Sequence, residues 1–411
     1  VCLDYGRAMQ NQNPESPQQA GGWMQGFPPP PEKTVRFADG SYYAWPRTQW
    51  SFNHMEQLVP TKEVWRGSGA CRPLGAHLHD FSHLRIIDGA GQEHSWSEAL
   101  AAIHTDALAI YHRGNLVFEQ YFNESGPHQR HLLMSCNKSM VGLVAECLIA
   151  DGTLNDQDLV PTLVPELADS AWGDASIRQI MDMTIGMHFH EDYLDPDSDV
   201  WRFMRSTGMA PRQPGDPAII ADYLPTVKKE GNHGEAFAYR EPNIFVLGWV
   251  VRRAAGRDLA TLASVLVWQH LGAEHDWVYM VDDSGAETTA AATLRDFVRF
   301  GALMLNGGQV AGQQVVPTAA VKNILCGGDQ EAFAQGDYPE LPGWSYRSQW
   351  WMRHHQGRIC PTARGAHGQM LYLDPAQDLI IVRFGSAPDA PSYLADSIMW
   401  PLVDAISAEL K

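Results

Sequence analysis

Cysteine is sparse in this chain and never paired in sequence. Six residues (Cys2, Cys71, Cys136, Cys147, Cys326 and Cys360) are spread over 411 positions with no C-x-x-C spacing. That is too thin for a disulfide framework, and it favours a reducing, cytoplasmic compartment over a periplasmic one. Also missing is any run of about eighteen apolar residues, so no membrane span is expected. No secretory leader is recognisable, although the first residue is Val1 rather than Met, which leaves a processed start open. Positive charge is short as well: 30 Lys and Arg stand against 48 Asp and Glu, for a net charge of −18. Such a surface repels nucleic acid and acidic membranes, so neither is an expected partner. A Gly-x-Ser-x-Gly elbow is absent, which removes the usual α/β-hydrolase signature. No internal repeat is visible.

What is present describes a large globular chain. Hydrophobic residues make up 45% and charged residues 19%, enough to bury a substantial core in two lobes. Residues 1–95 are rich in Pro, Gln, Gly and Trp and weak in periodicity, with "FPPPPEK" (Phe27–Lys33) as an extended, polyproline-like element. They read as an irregular N-terminal arm. "ALAIYHRGNLVFEQYF" (Ala107–Phe122) has the signature of a hairpin turning at His112-Arg113-Gly114-Asn115. Helical patterns follow from Ser135 to Leu305. In "TLRDFVRFGALMLNGG" they place Leu294, Phe297, Val298, Gly301, Ala302 and Leu305 on one face. Strand patterns return in "QWWMRHH" (Gln349–His355) and "MLYLDPAQDLIIVRFG" (Met370–Gly385), before a closing helix from about Ser392 to Leu410. The expectation is an α/β (α+β) fold. Residues 96–134 and 290–411 would form a lobe around an antiparallel sheet built from both chain ends, and residues 135–289 a mainly helical lobe.

The chemistry is concentrated in "RHLLMSCNKSMVGLVAECLIADGTL" (Arg130–Leu154). Met140, Leu143, Val144, Cys147 and Leu148 repeat at the helical period and predict one buried face, with Gly152 as the stop. A helix starting near Ser135 sets Ser135 and Lys138 one turn apart, with the ammonium in reach of the hydroxyl. A serine nucleophile needs such a neighbour, because the neutral hydroxyl is a poor nucleophile. The Ser135 N–H is among the unpaired donors of a first turn. In "GEAFAYREPNIFVLGWVVRRAAG" (Gly234–Gly256), Tyr239 stands at the head of a second helix, placed to relay a proton; the plain alternative is a core tyrosine with a satisfied hydroxyl. In "ARGAHGQMLYLDP" (Ala363–Pro375), Gly365, Ala366 and Gly368 would let a substrate approach the backbone of an edge strand.

Together, "SCNKS", "FAYREPN" and "GAHGQMLYLDP" resemble, in order and spacing, the serine β-lactamase and penicillin-binding-protein superfamily. Within it the chain is similar to the 6-aminohexanoate-dimer (nylon-oligomer) hydrolases and family VIII carboxylesterases, a likeness extended by "MDMTIGMHFHEDYLDP" (Met181–Pro196) and "YRSQWWM" (Tyr346–Met352). The resemblance implies Ser135 as the acylated nucleophile, Lys138 as its base and Tyr239 as proton relay. The N–H groups of Ser135 and Ala366 would form the oxyanion hole. Tyr193 would close over substrate, and Trp350, Trp351 and His367 would lie near the pocket. No metal or cofactor is implied. The substrate would be a small carboxylic ester or a short amide such as a 6-aminohexanoate oligomer; whether the chain forms a homodimer stays open.

The chain also departs from that pattern. Tyr239-Arg240-Glu241 stands where β-lactamases carry Tyr-x-Asn, and Ala363-Arg364-Gly365 where they carry Lys-Thr-Gly. A β-lactam carboxylate would lose its usual cation unless Arg364 supplies one, so a β-lactamase or DD-peptidase activity is the alternative rather than the first reading. Met204 aligns with an aspartate that contacts the substrate's amino end in the nylon-oligomer enzyme, leaving Glu241 or Glu287 to replace that charge. A metallohydrolase would need "HLHDFSH" (His77–His83) or "HFHED" (His188–Asp192) as ligands, and neither follows a known spacing. A non-catalytic binding module would not need all three of Ser135, Lys138 and Tyr239. Cys136 points about 100° away from Ser135 on a helix, which makes it a packing residue.

Overall fold

The computed structural model describes residues 21–411, so Cys2 and the first part of the arm lie outside the described residues. Two compact units divide the chain at Val35 and Arg36. In the first, the proline run closes in a 3-10 turn over Pro31–Lys33, and Lys33 lies over the Trp23 ring at 4.4 Å.

The second unit is built on β1 (Thr61–Val64), β2 (Gly75–Ala76), β3 (Thr105–His112), β4 (Asn115–Tyr121), β5 (His131–Leu132), β6 (Trp277–Val281) and β7 (Glu287–Ala292). Five strands near the C-terminus join them: β8 (Ser345–Arg347), β9 (Trp350–His355), β10 (Arg358–Gly365), β11 (Gln369–Asp374) and β12 (Leu379–Gly385). Among its helices are α1 (Trp96–Ala102), α2 (Lys138–Ala150), α3 (Pro242–Ala255), α4 (Leu294–Leu305) and α5 (Asp396–Glu409). The main sheet has eight strands in the order β8-β9-β10-β11-β12-β3-β4-β2, antiparallel except where β2 joins β4. It therefore draws on both ends of the chain, as the two strand-rich regions predict.

Alternation sorts its side chains into two layers. Leu108, Ile110, Tyr372 and Ile381 face α1 and α5, whereas Ala107, Ala109, Leu371, Leu373 and Ile380 face the larger core with α2 and α4. Each helix carries a local reason for its start. Ser95 and Glu98 form a capping box for α1, and Thr293 caps α4 by accepting from Asp296 N–H. Gly301 brings α4 down onto the sheet, where a Cβ would stand 3.0 Å from Ile380 and Leu371.

Three elements differ from the sequence pattern. Arm residues 61–64 pair with β6, in a four-stranded sheet ordered β1-β6-β7-β5, so the arm is not irregular throughout. The same sheet places a hairpin inside the expected helical stretch; its strands are short, and their outer partners, β1 and β5, come from distant sequence. The third difference is α2, which is buried on every side from Lys138 to Leu148 rather than on one face. Its one carboxylate in that span, Glu146, is satisfied by Arg178, Asn323 and Ser348. Gly142 lets the turn between β8 and β9 press against this helix, because a Cβ would come within 2.0 Å of the Ser348 carbonyl oxygen.

The turn after β10 is fixed by His367, a left-handed residue with φ of +60°. Its Nδ1–H donates to the Ala387 carbonyl at 2.7 Å and its Nε2 accepts from the Tyr43 hydroxyl at 2.8 Å. Burial, the largest influence, pushes its pKa down to about 4. Folding thus favours neutral imidazole, and the stability it contributes is complete above pH 6.5 and lost as pH falls toward 4. His367→Asn should flatten the pH dependence of unfolding free energy across that window by up to about 3 kcal/mol, read by urea titration at several pH values. Gly142→Ala, with a backbone carbonyl in its way, should cost about 1–3 kcal/mol in the same assay at neutral pH.

Candidate active site

Ser135 lies in a 3-10 turn, Met134–Asn137, between β5 and α2 rather than in the helix itself. The turn is anchored by Leu133 N–H on Ala290 O (2.8 Å) and Cys136 N–H on Leu133 O (3.1 Å). Lys138, the first α-helical residue, is 3% exposed, and its ammonium donates to Ser135 Oγ at 2.8 Å. The expected pair is therefore formed, with the serine held in the turn that feeds the helix.

A third group meets them. Pro242 opens α3 and sets Glu241 at its head. Oε1 of Glu241 accepts from Lys138 Nζ at 2.6 Å and from Ser135 Oγ at 2.9 Å. The Glu241 N–H in turn donates to Glu191 Oε2 at 2.7 Å. Burial, followed by the charge of Glu241, pushes Glu191 up to about 8, so it holds a proton at neutral pH. The sequence offers Glu241 only as one of two charges for a substrate's amino end, not as a partner of Ser135 and Lys138, and it does not single out Glu191. The only signal for the latter was an acidic residue two positions before Tyr193.

Tyr239 stands over the same group, with the Lys138 ammonium 5.2 Å from its ring centre. Burial first, then Glu241, raises its pKa, against a hydrogen bond with Ser135 that lowers it. It is thus a phenol able to donate. Trp351 stacks on it with centroids 5.2 Å apart, and Tyr346 meets it edge-on. Tyr193 is raised by burial, then by Glu241 and Glu191, and Tyr43 by burial, then by Glu241. Both phenols lie close enough to feel the site's charge. Tyr43, from the arm, had no sequence signal.

At the other side, β10 delivers Gly365 and Ala366. A Cβ on Gly365 would lie 2.6 Å from Leu133 O and 3.1 Å from Met134 Cβ, so glycine is what lets this strand end reach the Ser135 turn. The strand is interior, between β9 and β11, not the expected edge; the β9 ladder stops at Thr362, and the backbone runs on past it to Ala366. Two expected pocket residues lie elsewhere. Trp350 points to the opposite side of β9 from Trp351 and stacks on Phe300 at 6.0 Å in the main core. His367 serves the turn described above.

The remaining charges are accounted for. Arg364 binds both oxygens of Asp396 (2.7 and 2.8 Å) and lies against the rings of Trp344, Trp351 and Trp400. Glu287 is held by Lys62 and Arg252 on β7. Met204 packs against the main core. Cys136 is fully buried, which raises its pKa. His79 and His83 share Glu409, His188 pairs with Glu230 and His190 with Asp195. No group of three or more His, Cys, Asp or Glu is placed to hold a metal ion among the described residues, and none of their helices is long and apolar enough to cross a membrane.

A half-buried hydroxyl held between a carboxylate and an ammonium, beside a phenol and a glycine-lined strand end, is suited to nucleophilic attack with proton transfer. Comparison with known proteins bears on the class of reaction. The chain is 35% identical over 350 residues to the 6-aminohexanoate-dimer hydrolase of Paenarthrobacter ureafaciens, covering 84% of this chain and 86% of that one. A Bacillus anthracis protein whose provisional name is 6-aminohexanoate-dimer hydrolase superposes with a TM-score of 0.82 at 25% identity, over 91% of this chain and 97% of that one. The fold alone is shared with EstCE1, a hydrolase with promiscuous acyltransferase activity (TM-score 0.57, 13% identity, 75% and 98% covered). Residues 95–397, which hold Ser135, Lys138, Tyr239, Glu241 and Ala366, match the Beta-lactamase family model, and the chain belongs to that family of serine-hydrolase fold.

Proposed function

We propose that the protein is a serine hydrolase that works through an acyl-enzyme on Ser135, acting on small carboxylic esters or short amides. The observation that carries this reading is the 2.8 Å contact of a buried lysine ammonium with the Ser135 hydroxyl, directly beneath a protonated Tyr239. Oγ attacks the substrate carbonyl, and the oxygen that gains charge is received by the N–H groups of Ser135 and Ala366. Each such donor is worth about 3–4 kcal/mol in the transition state. Lys138 holds the nucleophile and offsets the charge formed on it, Tyr239 supplies a proton to the leaving group, and water then releases the acyl product.

The substrate class is argued from the walls and the charge. Tyr43, Tyr193, Tyr346 and Trp351 give aromatic surface suited to short acyl or amide chains. The similarity to a 6-aminohexanoate-dimer hydrolase supports an ω-amino-acid amide as one substrate to try. A β-lactam or D-alanyl peptide fits less well. Arg364 is already neutralised by Asp396, and the Glu241 carboxylate beside the nucleophile repels a second carboxylate. A binding module without chemistry has no observation in its favour, since the three reactive groups are in mutual contact.

Initial rates on p-nitrophenyl butyrate, the linear 6-aminohexanoate dimer and a chromogenic cephalosporin test this reading. Wild type should turn over the ester, with the cephalosporin slowest, and Ser135→Ala should abolish turnover; ester cleavage surviving in Ser135→Ala would refute the assignment. Tyr239→Phe should lower kcat by about 10²–10⁴-fold with the melting temperature kept. Lys138→Ala should be about as damaging as loss of the serine, because groups that act as one unit are not additive.

A further inference from the structure

We propose that Glu241 is the proton acceptor for the Ser135 hydroxyl, a catalytic carboxylate within the acyl-enzyme reaction on which this inference rests. The hydroxyl has one proton and two lone pairs. Lys138 Nζ, an ammonium, can only donate, so its 2.8 Å contact occupies one lone pair. Tyr239, kept a neutral phenol by burial, stands beside the hydroxyl and offers no anion to compete for its proton. The Oγ–H therefore points to Glu241 Oε1, an acceptor at 2.9 Å.

The surroundings hold that carboxylate in place. Lys138 binds the same oxygen at 2.6 Å, so the ammonium is already committed to its counter-ion; to act as the base it would first have to lose its proton beside that anion. Glu191, the second carboxyl, holds its own proton at neutral pH and fixes the Glu241 backbone N–H. The phenols of Tyr43, Tyr193 and Tyr346 are all raised by burial and carry no charge. Arg240 is drawn off by Asp337 at 2.5 Å. The catalytic group thus holds one cation and one anion, with the anion facing the proton to be moved.

The step balances without any further reagent. The Oγ–H bond breaks and its proton goes to Oε1. The Oγ–C bond forms as the carbonyl π pair moves onto the oxygen between the two N–H groups. When that pair returns, the bond to the leaving group breaks, and the departing oxygen or nitrogen takes a proton from Tyr239, which is reprotonated from Glu241. In the second half a water occupies the place of the serine donor and gives its proton to Oε1. Its oxygen bonds to the acyl carbon, and Oγ leaves with the proton that Glu241 returns.

The test is the burst of p-nitrophenolate from p-nitrophenyl butyrate, followed by stopped flow for wild type, Glu241→Gln and Ser135→Ala, each checked by thermal melting. Gln keeps an acceptor oxygen but cannot take the proton, and the acylation rate constant should fall by at least about 100-fold. A burst in Glu241→Gln as fast as wild type, or faster, would overturn the proposal, since it would mean that Lys138, freed from its counter-ion, serves as base. Should Glu241→Gln not fold, Glu241→Ser carries the same comparison. The two readings fail separately: a burst retained in Ser135→Ala removes the acyl-enzyme itself, whereas a silent Ser135→Ala beside a normal Glu241→Gln removes only the role of Glu241.

Discussion

The ion pair between Lys138 and Glu241 is the constraint around which the rest of the second unit is arranged. A lysine 3% exposed has lost nearly all of its hydration, and removing the partner of such a charge typically costs about 3–5 kcal/mol. The fold meets this demand by bringing together two chain segments a hundred residues apart, the start of α2 and the head of α3. Once those helix ends are joined, the Ser135 turn lies between them, and Gly365 is the residue that allows the sheet to close against the turn. Packing, charge balance and the orientation of Ser135 are thus one problem with one solution.

Much of this was legible in the sequence because it is local. The hairpin at Arg113 and Gly114, the helix of Leu294 to Leu305 and the strands around Asp374 all announce themselves through period and turn residues. Ser135 and Lys138 are three positions apart, and a first-turn geometry puts them in contact whatever surrounds them. Tyr239 and Ala366 needed the order of three motifs rather than any single one. What the sequence could not carry is non-local pairing. Strand β1 is four residues long and exists because β6 offers it a ladder. Glu241 could be flagged as a departure, but its place on the serine depends on how α3 is docked. Trp350 and Trp351 are neighbours in an aromatic run, and only the registry of β9 decides which faces the core and which faces Tyr239.

Charge distribution adds a second layer. Arg364 occupies the position at which a cation for substrate carboxylates would be sought, yet Asp396 and three tryptophans have absorbed it into the scaffold. Its guanidinium lies 5.5 Å from the ring centre of Trp351, the ring that also stacks on Tyr239. The aromatic wall and the phenol are therefore held by the same cation–π support. A residue that reads in sequence as a ligand contact acts in the fold as a brace.

The complete burial of α2 has a consequence for how such a protein can change. Its helix is enclosed, its glycine is clamped by the Ser348 carbonyl, and its carboxylate is saturated, so almost any alteration there is felt at Ser135 and Lys138. The aromatic groups around Ser135 instead come from separate lengths of chain: Tyr43 from the arm, Tyr193 from a loop, Trp351 from a strand. A substitution in one of these aromatic segments therefore leaves the packing of α2 in place, whereas one inside α2 does not.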